Sequence, residues 1–123
     1  MANDKFTPTI CIDFDGVLND YTGWKGENEL YEPKDGVYEF LDELKKLGFD
    51  LIIHSTRDTS KIVDWLFENR LETYFVKITS NKEPAMIYID DRGLKFNGNF
   101  KETLKDVKDF STYWEQAWLE VSE

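Results

Sequence analysis

The stretch ICIDFDGVL, residues 10–18, is the part of this chain from which its fold can first be inferred. Three apolar residues predict a buried strand, and Gly16 directly after two carboxylates predicts its end. Because side chains alternate along a strand, we expect Asp13 and Asp15 to leave its end on the same side. Two close carboxylates repel each other unless a cation lies between them, and Mg²⁺ is the first candidate. A turn with two solvated carboxylates is the alternative at this point.

The composition indicates one folded domain over residues 1–123. Hydrophobic residues make up 41% of the chain and aromatic residues 15%, which argues against disorder. The net charge is -10, and no cluster of Lys and Arg is seen, so nucleic acid is not an expected partner. A homo-oligomer is left open.

Location can also be predicted from the sequence. No apolar stretch approaches the roughly 18 residues of a membrane span, and residues 1–5 lack the pattern of a secretory signal. Cys11 is the one cysteine, which excludes a disulfide framework. We therefore expect a cytoplasmic protein that does not contact a membrane.

Strands and helices alternate along the predicted chain. Strands are expected at residues 10–13, 49–55, 74–78 and 86–89, with a short hairpin or flap over residues 16–26. The first helix is expected to begin at an Asp35 N-cap and to end at Gly48, and the second to begin at a Thr59 or Ser60 cap. A third helix is expected over residues 100–109. A last helix is expected to begin at the capping box formed by Thr112 and Glu115. Their apolar faces are predicted as Val37, Phe40, Leu41, Leu44 and Leu47; then Ile62, Val63, Leu66 and Phe67; then Phe100, Leu104 and Val107; and finally Trp114, Ala117, Trp118 and Val121. This order predicts a three-layer α/β/α, Rossmann-like fold with a parallel sheet.

Three of the predicted strands end in polar residues. Asp13 and Asp15 follow the first, residues 55–57 (Ser-Thr-Arg) the second, and Asp90-Asp91 the fourth. Open parallel sheets place their sites beyond the carboxyl ends of their strands. We therefore expect these side chains to meet at one edge of the sheet.

Together these segments resemble the haloacid dehalogenase (HAD) superfamily. Its four signature motifs have counterparts here in order: residues 13–17 (DFDGV), the apolar run ending at Ser55, Lys82, and the apolar run ending at Asp90-Asp91. The narrower resemblance is to small capless HAD-like phosphatases of bacteria and phages. The intervals between the motifs have room for a flap, two helices and a strand, but not for a cap domain.

The resemblance implies a Mg²⁺-dependent phosphatase that acts through an aspartyl-phosphate. Asp13 would be the nucleophile, and Asp15 the general acid and base. The metal would be held by Asp13, by the backbone carbonyl of Asp15 and by a carboxylate of the Asp90-Asp91 pair. Asp91 is favoured as that ligand and Asp90 as the partner of Lys82.

Other residues are given roles by the same resemblance. Ser55 would bind the phosphoryl oxygens with backbone N–H groups near Gly16 and Thr56, and Lys82 would hold Asp13 and the phosphoryl group by charge. Further candidates come from position in the chain alone. Tyr21 and Trp24 of the flap are candidate substrate contacts, with plain hairpin packing as the alternative. Arg57 and Arg92 directly follow two of the motifs, and each either contacts the substrate or braces the acidic loop. His54 is expected to pack between sheet and helix, and Cys11 and Trp65 to lie in the core.

The substrate is expected to be a phosphorylated small molecule or an exposed phosphoester. A nucleotide or nucleic-acid-end phosphatase is the second enzymatic hypothesis. A non-catalytic phospho-ligand or protein binding module on the same fold is the third.

Overall fold

The computed structural model describes residues 7–116 and contains a four-stranded parallel sheet. The strands are β1 (Thr9–Asp13), β2 (Asp50–His54), β3 (Phe75–Thr79) and β4 (Ile87–Ile89), in the spatial order β3-β2-β1-β4. The helices are α1 (Val37–Lys46), α2 (Thr59–Glu68) and α3 (Phe100–Asp109). The predicted Rossmann-like α/β class with a parallel sheet and flanking helices is confirmed.

β1 is buried because it has a neighbour on each side. Its residues Ile10 and Ile12 pair with Leu51 and Ile53 of β2, and all four side chains are buried in one core. Both α1 and α2 contribute residues to this same core. The chain makes two successive crossovers in one direction, from β1 to β2 to β3, which is why both helices pack on one face.

The sheet reverses its direction of growth beside β1. After β3 the chain returns to the other side of β1 and forms β4 there. A reversal of this kind opens a crevice at the carboxyl ends of the two strands on either side of it. Asp13 is the last residue of β1, and Asp91 follows β4 closely, so both acids lie at this crevice.

The segment between β1 and α1 is a flap closed at its base. Asn19 and Pro33 form an isolated antiparallel bridge, and the N–H of Lys34 donates to the carbonyl of Leu18 at 2.9 Å. Between β2 and β3 the chain forms only α2 and a short turn of 3₁₀ helix, Glu72–Tyr74. Within the described residues, no cap domain is inserted at either position, as the motif spacing predicted.

The start of α1 differs from the prediction. Asp35 does not cap the helix, because Gly36 takes that place in a left-handed conformation (φ 86°) and Val37 donates its N–H to the carbonyl of Lys34 at 3.1 Å. The backbone turn therefore does the work that the Asp35 side chain was expected to do. The predicted end at Gly48 (φ 93°) is confirmed.

α2 was also predicted with the wrong cap. Asp58 caps it by accepting the N–H of Ser60 at 3.0 Å, so neither Thr59 nor Ser60 is the cap residue. Its buried face includes Trp65, which packs edge-to-face on Phe14 with 4.9 Å between ring centroids. Three residues predicted on the buried faces of α1 and α2 are exposed instead: Phe40, Leu47 and Phe67.

The third helix, α3, is capped by Asn99. The spacing of three apolar residues puts them on one face of α3, as predicted, but all three are exposed: Phe100, Leu104 and Val107. The capping box is confirmed, since Thr112 donates its N–H to Glu115 and accepts the N–H of Glu115. Ala117, Trp118 and Val121 lie outside the described residues. Among the described residues, no helix has the length and apolar character needed to cross a membrane.

A buried leucine in the middle of α1 and an exposed leucine at its C-cap test how much the core contributes to stability. Leu41 is fully buried and Leu47, at the C-cap, is 69% exposed. Leu41→Ala is expected to lower the free energy of unfolding by about 2–5 kcal/mol, because it leaves a cavity in the core. Leu47→Ala should change it by about 0.5 kcal/mol or less. Urea unfolding followed by circular dichroism measures both, and equal losses would contradict the described packing.

Candidate active site

A cavity of about 280 Å³ lies at the carboxyl ends of the strands. Most of the site residues predicted from the sequence line it, together with His54 and Phe14. The lining residues are Asp13, Phe14, Asp15, Tyr21, Trp24, His54, Ser55, Thr56, Arg57, Asp91 and Arg92. The polar strand ends therefore do meet at one edge of the sheet.

Asp13 lies in this cavity beside His54. The two residues end neighbouring strands and are paired in register, so their side chains point to the same face. His54 Nδ1 lies 3.1 Å from Asp13 Oδ1, and both side chains are about 30% exposed. The prediction that His54 packs between sheet and helix is therefore wrong. Only the strand register, which the sequence does not show, brings this histidine to the site.

The electrostatic surroundings of Asp13 are unfavourable to a negative charge. Partial burial raises the pKa of its carboxyl, and the negative charges of Asp90 and Asp91 raise that pKa further. The hydrogen bond with His54 acts in the opposite direction and lowers it. The net effect is a raised pKa, which a cation next to Asp13 would offset.

Asp15 is held by Asn19, a residue for which the sequence reasoning predicted no role. The Asn19 side chain is completely buried, and its Nδ2 donates to Asp15 Oδ1 at 3.0 Å and to the carbonyl of Leu30 at 2.7 Å. Its Oδ1 accepts the N–H groups of Gly16 at 3.0 Å and Tyr21 at 3.2 Å. The Gly16 N–H, predicted to help bind phosphate, is therefore already used inside the loop.

The other oxygen of Asp15 is bound by Arg57. Arg57 Nε donates to Asp15 Oδ2 at 2.7 Å, and the Arg57 side chain is only 2% exposed. Its guanidinium also lies 4.8 Å from the ring centre of Trp24, while Nη2 is buried without a partner among the described residues. Of the two roles open to Arg57, the structure shows that it braces the acidic loop.

Ser55 and Thr56 follow β2 at the wall of the cavity. The Oγ of Ser55 accepts the N–H of Arg57 at 3.1 Å, which leaves the hydroxyl proton of Ser55 able to donate to a ligand. The N–H of Ser55 donates to the carbonyl of Thr79 at 3.0 Å, which anchors the strand end. This geometry is compatible with the predicted phosphate contacts of Ser55 and Thr56, which stay predictions.

The two adjacent aspartates after β4 have different surroundings. Asp90 Oδ1 accepts the N–H groups of Arg92 and Gly93 and so closes the turn that follows β4. Asp91 lines the cavity, and its Oδ2 accepts the indole N–H of Trp114 at 2.6 Å. The geometry therefore agrees with Asp91 as the candidate metal ligand.

Lys82 is not brought to either acid that was predicted to contact it. Its side chain is exposed, and its ammonium lies 4.3 Å from the ring centre of Tyr88. Among the described residues, Asp90 is engaged at Oδ1 by backbone N–H groups and no ion pair joins it to Lys82, so the expected pairing stays a prediction. Tyr88 pairs with Cys11, which lies on the same face of β1 as Asp13. Lys82, beside Tyr88, is therefore on the face of the sheet that carries Asp13, but it does not line the cavity. Its catalytic role stays a prediction.

The predicted cofactor is Mg²⁺, and the donors present fit such an ion. Asp13 and Asp91 both line the cavity, and carboxylate and carbonyl oxygens are the ligands that Mg²⁺ prefers. The described residues contain no group of three or more His, Cys, Asp or Glu side chains arranged around one point. The predicted set needs only two carboxylates, because its third protein ligand is the backbone carbonyl of Asp15.

The fold and this cavity define a parallel α/β protein with a cluster of acidic side chains at the carboxyl ends of its strands. A family model described as haloacid dehalogenase-like hydrolase matches residues 13–86. The chain belongs to this family, and the resemblance noted in its sequence is confirmed.

Curated relatives of the chain are phosphatases. D-glycero-beta-D-manno-heptose-1,7-bisphosphate 7-phosphatase of Escherichia coli (strain K12) is 41% identical over 49 residues, which are 40% of this chain and 26% of that enzyme. The enzyme of the same name from Photorhabdus laumondii subsp. laumondii is 30% identical over 91 residues, which are 74% of this chain and 44% of that enzyme. The chain therefore spans less than half the length of these relatives.

A solved structure shares the fold. It is a conserved protein from Bacteroides thetaiotaomicron, which superposes with a TM-score of 0.56 at 22% identity. The match covers 85% of this chain and 93% of the other.

The buried amide of Asn19 can be tested with a nearly isosteric change. Asn19→Asp replaces a donor that faces Asp15 and the Leu30 carbonyl with a third acceptor. We expect a loss of about 2 kcal/mol or more in the free energy of unfolding, because buried acceptors would face each other unpaired. Asn28→Asp is the matched control, since Asn28 is exposed and its Oδ1 accepts from Lys61. Similar stability of both variants in thermal unfolding would show that the Asn19 hydrogen bonds are unimportant.

Proposed function

We propose that this chain is a phosphomonoester hydrolase whose nucleophile is Asp13. The proposal rests on one observation: Asp13 and Asp15 line the same cavity but have different hydrogen-bond partners. Asp15 is engaged on both oxygens by Asn19 and Arg57, whereas within residues 7–116 Asp13 is bound only at Oδ1, by His54. Membership of a hydrolase family and relatives named as phosphatases support it.

In the proposed reaction, a carboxylate oxygen of Asp13 attacks phosphorus while the bond from phosphorus to the leaving oxygen breaks. Asp15 gives a proton to the leaving oxygen and later takes one from the water that hydrolyses the aspartyl-phosphate. The Ser55 hydroxyl donates to a phosphoryl oxygen and so stabilises the charge that develops there. Asn19 and Arg57 keep Asp15 directed into the cavity through both steps.

Mg²⁺ is part of the proposal as a cofactor. Asp13, Asp91 and the backbone carbonyl of Asp15 would hold it, and it would neutralise negative charge on the transferring group. The raised pKa of Asp13, caused by burial and by the charges of Asp90 and Asp91, supports a cation at this place.

We propose a small phosphorylated molecule as the substrate. The cavity of about 280 Å³ is at the lower end of the range for small-molecule sites. Tyr21, Trp24 and Arg92 also line this cavity and would contact the leaving group. The relatives act on a sugar bisphosphate, as their names state, which makes sugar phosphates the first compounds to test.

Asp13→Asn tests the proposal through activity and stability together. Hydrolysis of an aryl phosphate with Mg²⁺ should fall by about a thousandfold or more, because the amide is a poor nucleophile. An acid with a raised folded-state pKa destabilises the fold above its unfolded-state pKa, so the neutral amide should raise the metal-free Tm at pH 7. Colorimetric phosphate release and calorimetry measure the two effects.

The control is Asp35→Asn, an exposed acid in the turn before α1, which should keep both activity and Tm. Chelation of Mg²⁺ should abolish activity reversibly. Unchanged hydrolysis by the Asp13 variant would sink the proposal. Absence of turnover across aryl, sugar and nucleotide phosphates, with metal-independent binding of a phosphorylated ligand, would favour a binding module.

A further inference from the structure

Trp114 belongs to a segment that packs against the candidate active site from the far end of the chain. The capping box of Thr112 and Glu115 fixes the start of this segment, and the Thr112 side chain is almost completely buried. Beside Trp114, the Tyr113 hydroxyl donates to the carbonyl of Gly16 at 2.7 Å, across 97 positions of sequence. The segment is therefore attached to the loop that carries Asp15.

The indole of Trp114 binds one oxygen of Asp91. Its Nε1–H donates to Asp91 Oδ2 at 2.6 Å. An indole N–H can only donate a hydrogen bond, so it requires an acceptor opposite it. The contact therefore holds Oδ2 of Asp91 beside Trp114 and fixes the side-chain torsion of Asp91. The other oxygen of Asp91 is then directed by the position of the first.

The ring of Trp114 is itself held from two sides. Tyr21 of the flap packs against it edge-to-face at 5.3 Å between centroids, and the Arg92 guanidinium lies 5.3 Å from its ring centre. Gly16 is also close, since a Cβ there would lie 2.2 Å from Asp91 Oδ2 and 3.4 Å from the indole nitrogen. The glycine thus leaves the space in which Asp91 and Trp114 meet.

We infer that Trp114 is a positioning residue for Asp91: its indole N–H fixes the orientation in which Asp91 binds the divalent cation. The inference rests on the proposed function in one respect, namely that Asp91 is a metal ligand. Partners that orient a ligand from outside the metal typically contribute a factor of 10–100 to metal affinity. Tyr21 and Arg92 link the same indole to the flap and to the turn that follows β4.

Metal affinity, measured without substrate, tests the inference. Mn²⁺ is the probe, and electron paramagnetic resonance of free Mn²⁺ gives its Kd on protein whose fold is checked by circular dichroism. Trp114→Phe keeps an aromatic ring but removes the donor, and should raise the Kd about tenfold. Trp24→Phe, which changes another indole of the same cavity that is not bonded to Asp91, should leave the Kd within about twofold.

A double-mutant cycle separates positioning from a merely structural role. In an Asp91→Ala background, Trp114→Phe should have no further effect on the Mn²⁺ Kd, because the group it positions is gone. An equal effect in both backgrounds, an unchanged Kd in Trp114→Phe alone, or no Mn²⁺ binding by the wild type would overturn the inference. A confirmed cycle in a protein without phosphatase activity would refute the proposed function and leave the inference intact.

If Trp114→Phe does not fold, the wild-type protein provides a second measurement. The indole N–H resonance of Trp114 should shift when Mg²⁺ is added, since the cation withdraws charge from the carboxylate that accepts its hydrogen bond. The resonance of Trp65, which donates to the Tyr31 carbonyl in the core, should stay in place. A stationary Trp114 resonance at saturating Mg²⁺ would also overturn the inference.

Discussion

The four hydrogen bonds of the Asn19 side chain hold together the end of the fold that carries the acidic cavity. They join Asp15, the left-handed turn at Gly16 (φ 83°) and both sides of the flap in one buried group. Because the amide is fully buried, the loss of any partner leaves an unpaired polar group, at about 1–3 kcal/mol. The loop therefore holds its shape, and with it the direction of Asp15, as one cooperative unit.

The two acids at the end of β1, Asp13 and Asp15, have different charged groups around them. The buried guanidinium of Arg57 lies against Asp15, while Asp13 faces the negative charges of Asp90 and Asp91. Two carboxyl groups in different surroundings can perform different steps of one reaction. Asp13, Asp90 and Asp91 together leave negative charge without a neighbouring cation at the place where Mg²⁺ would be bound.

The sequence alone predicted the parallel α/β fold and most of the cavity wall, because apolar runs that end in polar residues have a known place in such sheets. It did not predict the contact of His54 with Asp13. That contact depends on the register between β1 and β2, which cannot be inferred from either segment by itself. Asn19 and Trp114 were missed as site residues because their partners are a folded loop and a distant turn. Lys82 was placed at Asp13 by family resemblance, whereas the loop that carries it lies over Tyr88.

In the proposed reaction, a phosphoryl group is transferred to Asp13. Rapid acid quenching during turnover of a ³²P-labelled sugar phosphate, followed by peptide mapping with mass spectrometry, tests it directly. One phosphoryl group is expected on the peptide that contains Asp13, present during turnover and absent after the substrate is exhausted. Label on His54, whose ring nitrogen lies 3.1 Å from Asp13, or product formation without any labelled protein, would contradict it.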